Sequence, residues 1–418
     1  MISDQETKLY DRQLRVWGVD AQNRMRTASV LIAGRISGMG CEIAKNIVLA
    51  GVGNVCLFDR SLVSPLHLCG SFCLRPSDIG RPLDEAAAAR LQELNPNVSA
   101  TALPSSVAAS VGDAPDSLWT SFSLVILLDA PLRDAIRINA ACRRESTLGD
   151  SESSSQPASR ERTSDASCAP AFIYGHMFGP HAFWFQDLRG FDYVCEHKSA
   201  KGVTSSKTAE HIEFKPLHSA LAGLLGESGA GESDADQSDA ELSMGTWKIW
   251  ESRLLAAHTS TSVRWLSNLS GADKRRRAQA ELLVALLAAA CGYDDSGECG
   301  APQQRDLEKE KGENENGDVG DESMNPKRRR VGGVSNSSNN NNNAHSDAEK
   351  EDDEGGVEKT PSDACLRKLR GIQAVTDAAI VGGLLAQEVL KNLAQKSDPL
   401  DNVAVYDGVL NKAVVFHL

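Results

Sequence analysis

Residues 34–46 read GRISGMGCEIAKN, three glycines running into a helical pattern, and this stretch decides the fold. The run before it, Val30 to Ala33, is short, apolar and partly β-branched, as suits a strand buried in a parallel sheet. After it, Ile43, Ala44, Ile47 and Val48 recur at helical spacing. Gly34, Gly38 and Gly40 are therefore expected on a strand-to-helix turn. In a doubly wound α/β sheet that turn sets phosphate against exposed backbone N–H groups.

The spacing departs from the usual dinucleotide loop. G-x-G-x-x-G clears room for a pyrophosphate at its second glycine, whereas here the order is G-x-x-x-G-x-G, with Arg35, Ile36 and Ser37 filling the approach. A second strand at 54–59 ends in Asp59, about where a carboxylate meets ribose hydroxyls. Two readings stay open: Gly34, Gly38, Gly40 and Asp59 bind a nucleotide, or they are the vestige of such a site, kept for close packing of helix on strand.

Outward from the turn, strands are predicted at 29–33, 54–59, 98–103 and 124–128, with helices at 40–50, 83–94 and 132–143 between them. Alternating strands and helices imply a mostly parallel, doubly wound sheet of Rossmann type. Residues 171–188, AFIYGHMFGPHAFWFQDL, read as two aromatic-rich strands around Gly179 and Pro180, an antiparallel addition. Segments 145–168, 226–241 and 296–362 carry too few apolar residues to offset the entropy of ordering them, and are expected to be disordered insertions. A helical stretch with Trp247, Trp250 and Trp265 is expected over 246–292, then a helix near 374–394 and two strands, NVAVYD and AVVFHL. The predicted domains are 1–198, a helical insertion 199–295, an acidic insertion 296–362, and a return to the first domain over 363–418.

The chain has 418 residues, 41% of them hydrophobic, enough for one large core or two ordinary ones. A net charge of −13 argues against general nucleic-acid binding. The opening residues lack a signal-peptide pattern and no apolar run is long enough to span a bilayer, so a soluble intracellular protein without membrane contact is expected. Ten cysteines without C-x-x-C pairs point to reduced thiols and to no metal site, and Cys69 with Cys73 is a weak pair. Cys41, at the start of the predicted helix, is either a small core residue or a thiol of lowered pKa.

Four separated motifs, in order, resemble the ubiquitin-like protein activating enzymes: LYDRQLRVWGVDAQNRMRTASVLIAG, GCEIAKNIVLAGVGNVCLFD, DIGRPLDEAAAARLQELNP, and VGGLLAQEVLKNL with NVAVYDG. The pattern is most similar to the small, non-cysteine subunits of the SUMO-activating heterodimers, over roughly 8–143, 169–198 and 366–418. The resemblance implies a ThiF-type adenylation fold and a regulatory subunit that supports adenylation and thioester transfer of SUMO carried out in a larger partner. That partner bears the catalytic cysteine and most of the site for ATP and Mg²⁺. Family members with a working site carry an Asn-Arg-Gln-Phe stretch and a lysine after the ribose aspartate, then ALDN at the end of the fourth strand. Here Asp59 is followed by RSLVSPLHLCGSFCLRPSDIGRP, and the fourth strand ends LLDAPLR, with Asp129 near the expected place. The resemblance therefore implies a pseudo-adenylation domain, inactive alone and with no cofactor of its own.

In the family, the arginine of YDR reaches across the dimer into the partner's ATP site, which corresponds to Arg12. Arg15, three positions on, is a weaker candidate. NPKRRRV at 325–331 is a compact basic cluster in an acidic stretch and predicts a nuclear address; Lys274 to Arg277 instead opens an Ala- and Leu-rich helix. Alternatives are the equivalent neddylation subunit, or a self-sufficient nucleotide-binding oxidoreductase suggested by the glycine loop and Asp59 alone.

Overall fold

The run LVILL, apolar at every position, becomes β4 (Leu124–Leu128), a strand buried along its whole length. A computed structural model describes residues 3–36, 38–144, 169–198, 204–225, 274–291, 366, 369 and 373–418. All of them belong to one compact unit, Met1–Gly297 with Thr360–Leu418. Beside β4 lie β1 (Ser29–Gly34), β2 (Asn54–Phe58) and β3 (Ser99–Ala102), all parallel. On its other flank, parallel β5 (Ala171–Phe178) turns at Gly179 into antiparallel β6 (His181–Asp187). At the end of the chain, β9 (Val403–Asp407) and β10 (Lys412–Phe416) extend the sheet antiparallel to β6. The spatial order is β10-β9-β6-β5-β4-β1-β2-β3.

Side chains alternate across the strands, so each strand feeds two cores. On one face Leu31, Ala33, Phe58, Val125, Leu127, Phe172 and Tyr174 pack with α8 (Leu132–Arg143), α9 (Leu217–Leu225) and α10 (Lys274–Cys291). On the other, Val30, Ile32, Val55, Leu57, Ile126 and Leu128 pack with α4 (Gly38–Leu49), α6 (Leu83–Gln92) and α11 (Val375–Ala394). Helix α11 lies along α4, so the chain's last helix is built into the first βαβ unit. Pro131 and Pro82 sit at the N-caps of α8 and α6, where a ring with fixed φ and no N–H starts a helix without loss.

Several sequence expectations change. Gly38 and Gly40 are not on the turn before the helix but inside its first turns, since α4 begins at Gly38 rather than at residue 40. The N-terminal motif that carries Arg12 and Arg15 folds as three helices, α1 (Asp4–Leu9), α2 (Asp11–Trp17) and α3 (Val19–Thr27), with Gly18 at φ 86° between the last two. A separate antiparallel pair joins β7 (Gly190–Lys198) to β8 (Thr204–Glu213), one strand on each side of the boundary placed at 198. Its polar, interrupted alternation hides it from a hydrophobic scan. Two short helices, α5 (Pro65–Gly70) and α7 (Asp116–Trp119), were also unforeseen. The insertions at 145–168, 226–241 and 296–362, the three tryptophans and the 325–331 cluster lie outside the described residues. No helix among the described residues is long and apolar enough to cross a membrane.

Candidate functional site

In an open α/β sheet, ligands bind beyond the carboxyl ends of the strands where the winding reverses. Here that point lies between β1 and β4. The sequence places Gly34, Asp59 and Asp129 at the carboxyl ends of β1, β2 and β4. A phosphate there would need free N–H groups on the turn from β1 into α4.

Three N–H groups here, those of Arg35, Ile36 and Met39, are committed within the chain. Arg35 N–H donates to the Leu128 carbonyl at 2.9 Å. Ile36 N–H donates to Asp59 Oδ2 at 2.8 Å, while Asp59 Oδ1 accepts from Ser61 N–H at 3.0 Å and from Ser61 Oγ at 2.6 Å. Met39 N–H, in the first turn of α4, donates to Gln373 Oε1 at 2.7 Å. Asp59, buried to 7% exposure, thus accepts on both oxygens from its own chain.

Asp129 is equally engaged. Its φ of 49° is left-handed, a conformation Asp tolerates better than most residues. Oδ1 accepts the Met177 N–H at 2.8 Å and lies 3.1 Å from His176 Nδ1; Oδ2 accepts from Gln373 Nε2 at 2.9 Å. Burial works against the charge, but the His176 imidazole and the Met177 N–H outweigh it and hold the carboxyl below the ordinary carboxylate range. His176 is fully buried, with Nε2 3.1 Å from the Ala130 carbonyl, which also accepts the Tyr174 hydroxyl at 2.8 Å.

The glycines answer to neighbours on the same chain. Gly34 has φ 95°, and a Cβ there would lie 2.1 Å from the Leu128 carbonyl oxygen. At Gly38 it would meet Gln373 Oε1 at 2.8 Å and the Gly70 carbonyl oxygen at 2.9 Å; at Gly40, Ile36 Cγ2 and Leu128 Cδ1, each at 3.1 Å.

Other candidates fall as follows. Cys41 is buried within α4, its thiol donating to the Ile36 carbonyl at 3.1 Å and accepting from Ser71 Oγ at 3.0 Å. Hydrogen bonding with Cys41 and burial together push the Cys73 thiol up. Neither thiol is accessible to solvent. Among the described residues no cluster of three His, Cys, Asp or Glu side chains is arranged to hold a metal. Arg12 and Arg15 lie on α2, away from the carboxyl edge, and both are exposed. Arg15 pairs with Asp11 at 2.9 Å, whereas the Arg12 guanidinium has no hydrogen-bond or ion-pair partner among the described residues. Sequence reasoning missed Gln373 and His176. Gln373 lies just ahead of the predicted helix at 374–394 and carries no local signal, because its partners are 334 and 244 positions away.

The chain matches the ThiF family over residues 10–417. SUMO-activating enzyme subunit 1 of Rattus norvegicus is 31% identical over 217 residues, 51% of this chain and 54% of that protein. The Homo sapiens protein of the same name is 30% identical over 203 residues, 49% of this chain and 51% of that one. That of Dictyostelium discoideum is 28% identical over 214 residues, 51% and 56% respectively. The chain thus spans about half the length of the curated relatives it matches. A solved structure of E. coli MccB with MccA-N7isoASN aligns with a TM-score of 0.33 and 15% identity over 43% of this chain and 46% of that one. With a family match across nearly its whole length, a 3-2-1-4-5 parallel core and a glycine turn at the switch point, the chain belongs to the ThiF family.

Proposed function

We propose that this protein is the regulatory, non-cysteine subunit of a heterodimeric SUMO-activating enzyme, nuclear in location, whose larger partner holds ATP and Mg²⁺ and bears the catalytic cysteine. Adenylation joins the SUMO C-terminal carboxylate to the α-phosphate of ATP and releases pyrophosphate; the partner's thiolate then displaces AMP to form the thioester. The relatives' shared name supports SUMO over the neddylation equivalent. The filled turn at the β1–β4 switch point supports a half that does not itself hold the nucleotide, and disfavours a self-sufficient oxidoreductase.

Arg12 carries the mechanistic part of the reading. It is a solvent-facing guanidinium with no hydrogen-bond or ion-pair partner among the described residues, beside an Arg15 that is paired. Delivered into the partner's site, its planar fork clamps phosphate oxygens with two parallel bonds and offsets charge on the departing pyrophosphate. The test is reconstitution with the larger subunit, SUMO, ATP and Mg²⁺, followed by pyrophosphate exchange. The isolated chain should show none. In the dimer, Arg12→Ala should slow adenylation about ten- to a hundredfold, or ~1.4 to 2.8 kcal/mol in the barrier, with assembly intact. Arg12→Lys should recover part of the rate, and Arg15→Ala serves as the control for damage to α2. Unchanged exchange in Arg12→Ala, or exchange by the isolated chain, would defeat the reading. For location, Lys327 to Arg330 replaced by Ala should reduce nuclear accumulation.

A further inference from the structure

The anion position at the start of α4 is taken by a side chain from the far end of the sequence. Gln373 Oε1 accepts the Met39 N–H at 2.7 Å, and its Nε2 donates to Asp129 Oδ2 at 2.9 Å. The two ends of one amide thus meet the two kinds of group a nucleotide site offers at this place: a helix N-terminal donor and a carboxylate at the end of the fourth strand. Gly38 is shaped to this arrangement, since a Cβ there would stand 2.8 Å from Gln373 Oε1. The amide is neutral and carries donor and acceptor together. It therefore satisfies both partners without a cation, which a phosphate beside Asp129 would require.

We propose that Gln373 is the resident ligand of the β1–α4 turn: it closes the site to phosphates and latches the start of α11 onto the first βαβ unit. The latch has a mechanical sense. Residue 373 stands two positions before α11, which packs along α4, and its two bonds tie that entry to the first turn of α4 and to the end of β4. The inference concerns this chain's own turn and stands whether or not Arg12 acts on a partner.

Two full-length variants test it. Gln373→Met keeps the bulk and removes both hydrogen bonds; Gln373→Ala removes the bulk as well. Amide hydrogen exchange, read at Met39, should accelerate about five- to tenfold in both, as expected for one lost, partly buried hydrogen bond. Binding of inorganic pyrophosphate with Mg²⁺, followed by calorimetry, should be absent in the wild-type chain and in Gln373→Met and measurable in Gln373→Ala. Mg²⁺ is included because Asp129 then faces the opened space. Unchanged Met39 exchange in Gln373→Met overturns the proposal, and so does pyrophosphate binding that is equal in wild type and Gln373→Ala, whether present or absent in both. If the alanine variant fails to fold, Met39 exchange in Gln373→Met decides alone.

Discussion

Replacing Gly34 by alanine should cost the isolated protein about 3–5 kcal/mol, without any nucleotide in the experiment. The new Cβ would sit 2.1 Å from the Leu128 carbonyl oxygen, ~1.4 Å short of an ordinary contact of about 3.5 Å. That oxygen is backbone in the central strand, so no rotamer can relieve the overlap. The ends of β1 and β4, where Gly34 pairs with Leu128, must part. Parting them breaks the 2.9 Å bond from Arg35 N–H to Leu128 and strands its groups at roughly 1–3 kcal/mol. The φ of 95° adds ~1–2 kcal/mol for a residue with a Cβ. Gly38→Ala should cost less, about 1–3 kcal/mol, because one of its two close neighbours is the end of the Gln373 side chain. Gly40→Ala should fall within ~1 kcal/mol of wild type: Ile36 Cγ2 and Leu128 Cδ1 at 3.1 Å can give by a few tenths, and alanine is the better helix former by about 1 kcal/mol. Urea unfolding of the full chain, followed by circular dichroism, measures the order. A Gly34→Ala protein as stable as wild type, or one less damaged than Gly40→Ala, would refute packing as the reason for these glycines.

Asp187, fully buried, accepts from Arg143 Nε at 2.6 Å, Arg143 Nη2 at 2.8 Å and Asn139 Nδ2 at 2.7 Å, so Asp187→Ala should lose about 3–5 kcal/mol in the same urea assay; a loss under ~1 kcal/mol would contradict it. For Asp407, burial raises the pKa but the His181 imidazole at 3.3 Å and the Val409 and Leu410 N–H groups outweigh it, leaving the carboxyl below its ordinary range. A depressed folded-state pKa contributes stability that is full above the unfolded value near ~3.9 and is lost as pH falls through the folded one, so Asp407→Asn should flatten the acid limb below about pH 4, and parallel limbs would disprove the assignment. Burial raises Asp84 despite Arg60 at 2.8 Å, and by the same linkage it works in the opposite sense, lowering stability as pH rises just above ~4. Alanine at Cys41 or Cys73 should leave thioester formation in the reconstituted dimer intact, as gel shift under non-reducing conditions would show; loss in either would place the nucleophile in this chain.

How much could be read in advance follows from where each constraint acts. Strand 124–128 and helix 132–143 match residue for residue, because an unbroken apolar run and a proline at position 131 are local signals that tertiary packing reinforces. The hairpin at Gly179 and the return of the last helix and strands to the sheet were legible for the same reason. The β7–β8 pairing was not: its inward positions Phe191, Tyr193 and Ile212 are spaced by polar residues, so hydrophobicity does not mark it. At the site, the unusual spacing of Gly34, Gly38 and Gly40 could be seen to be crowded, but not what crowds it. Leu128, Gly70 and Gln373 arrive from three separate stretches.

The filled turn follows from polar bookkeeping within the protein itself. The first N–H groups of α4 and the carboxylates ending β2 and β4 lie in a buried edge where an unpaired donor or acceptor costs about 1–3 kcal/mol. A nucleotide can discharge all of them at once. Here Asp59 turned onto Ile36, and Gln373 bridging Met39 and Asp129, pair several of them within the chain through neutral or locally paired groups. A turn satisfied in this way holds its shape without ligand and gives α11 and the β1–β4 core a fixed geometry. Rigid support is what a residue acting at a distance needs. A guanidinium misplaced by about 1 Å loses much of its effect on a transition state. The covalent link between the core and Arg12 is short, since α3 leads from α2 straight into β1. Gln13 on α2 donates to the Ala50 carbonyl at 2.8 Å and Gln22 on α3 to the same oxygen at 3.0 Å, so both helices are pinned to the end of α4. On the role proposed for Arg12, the closed turn and that arginine are two ends of one path through α4, α3 and α2, and Gln373→Ala should then slow adenylation by the reconstituted dimer.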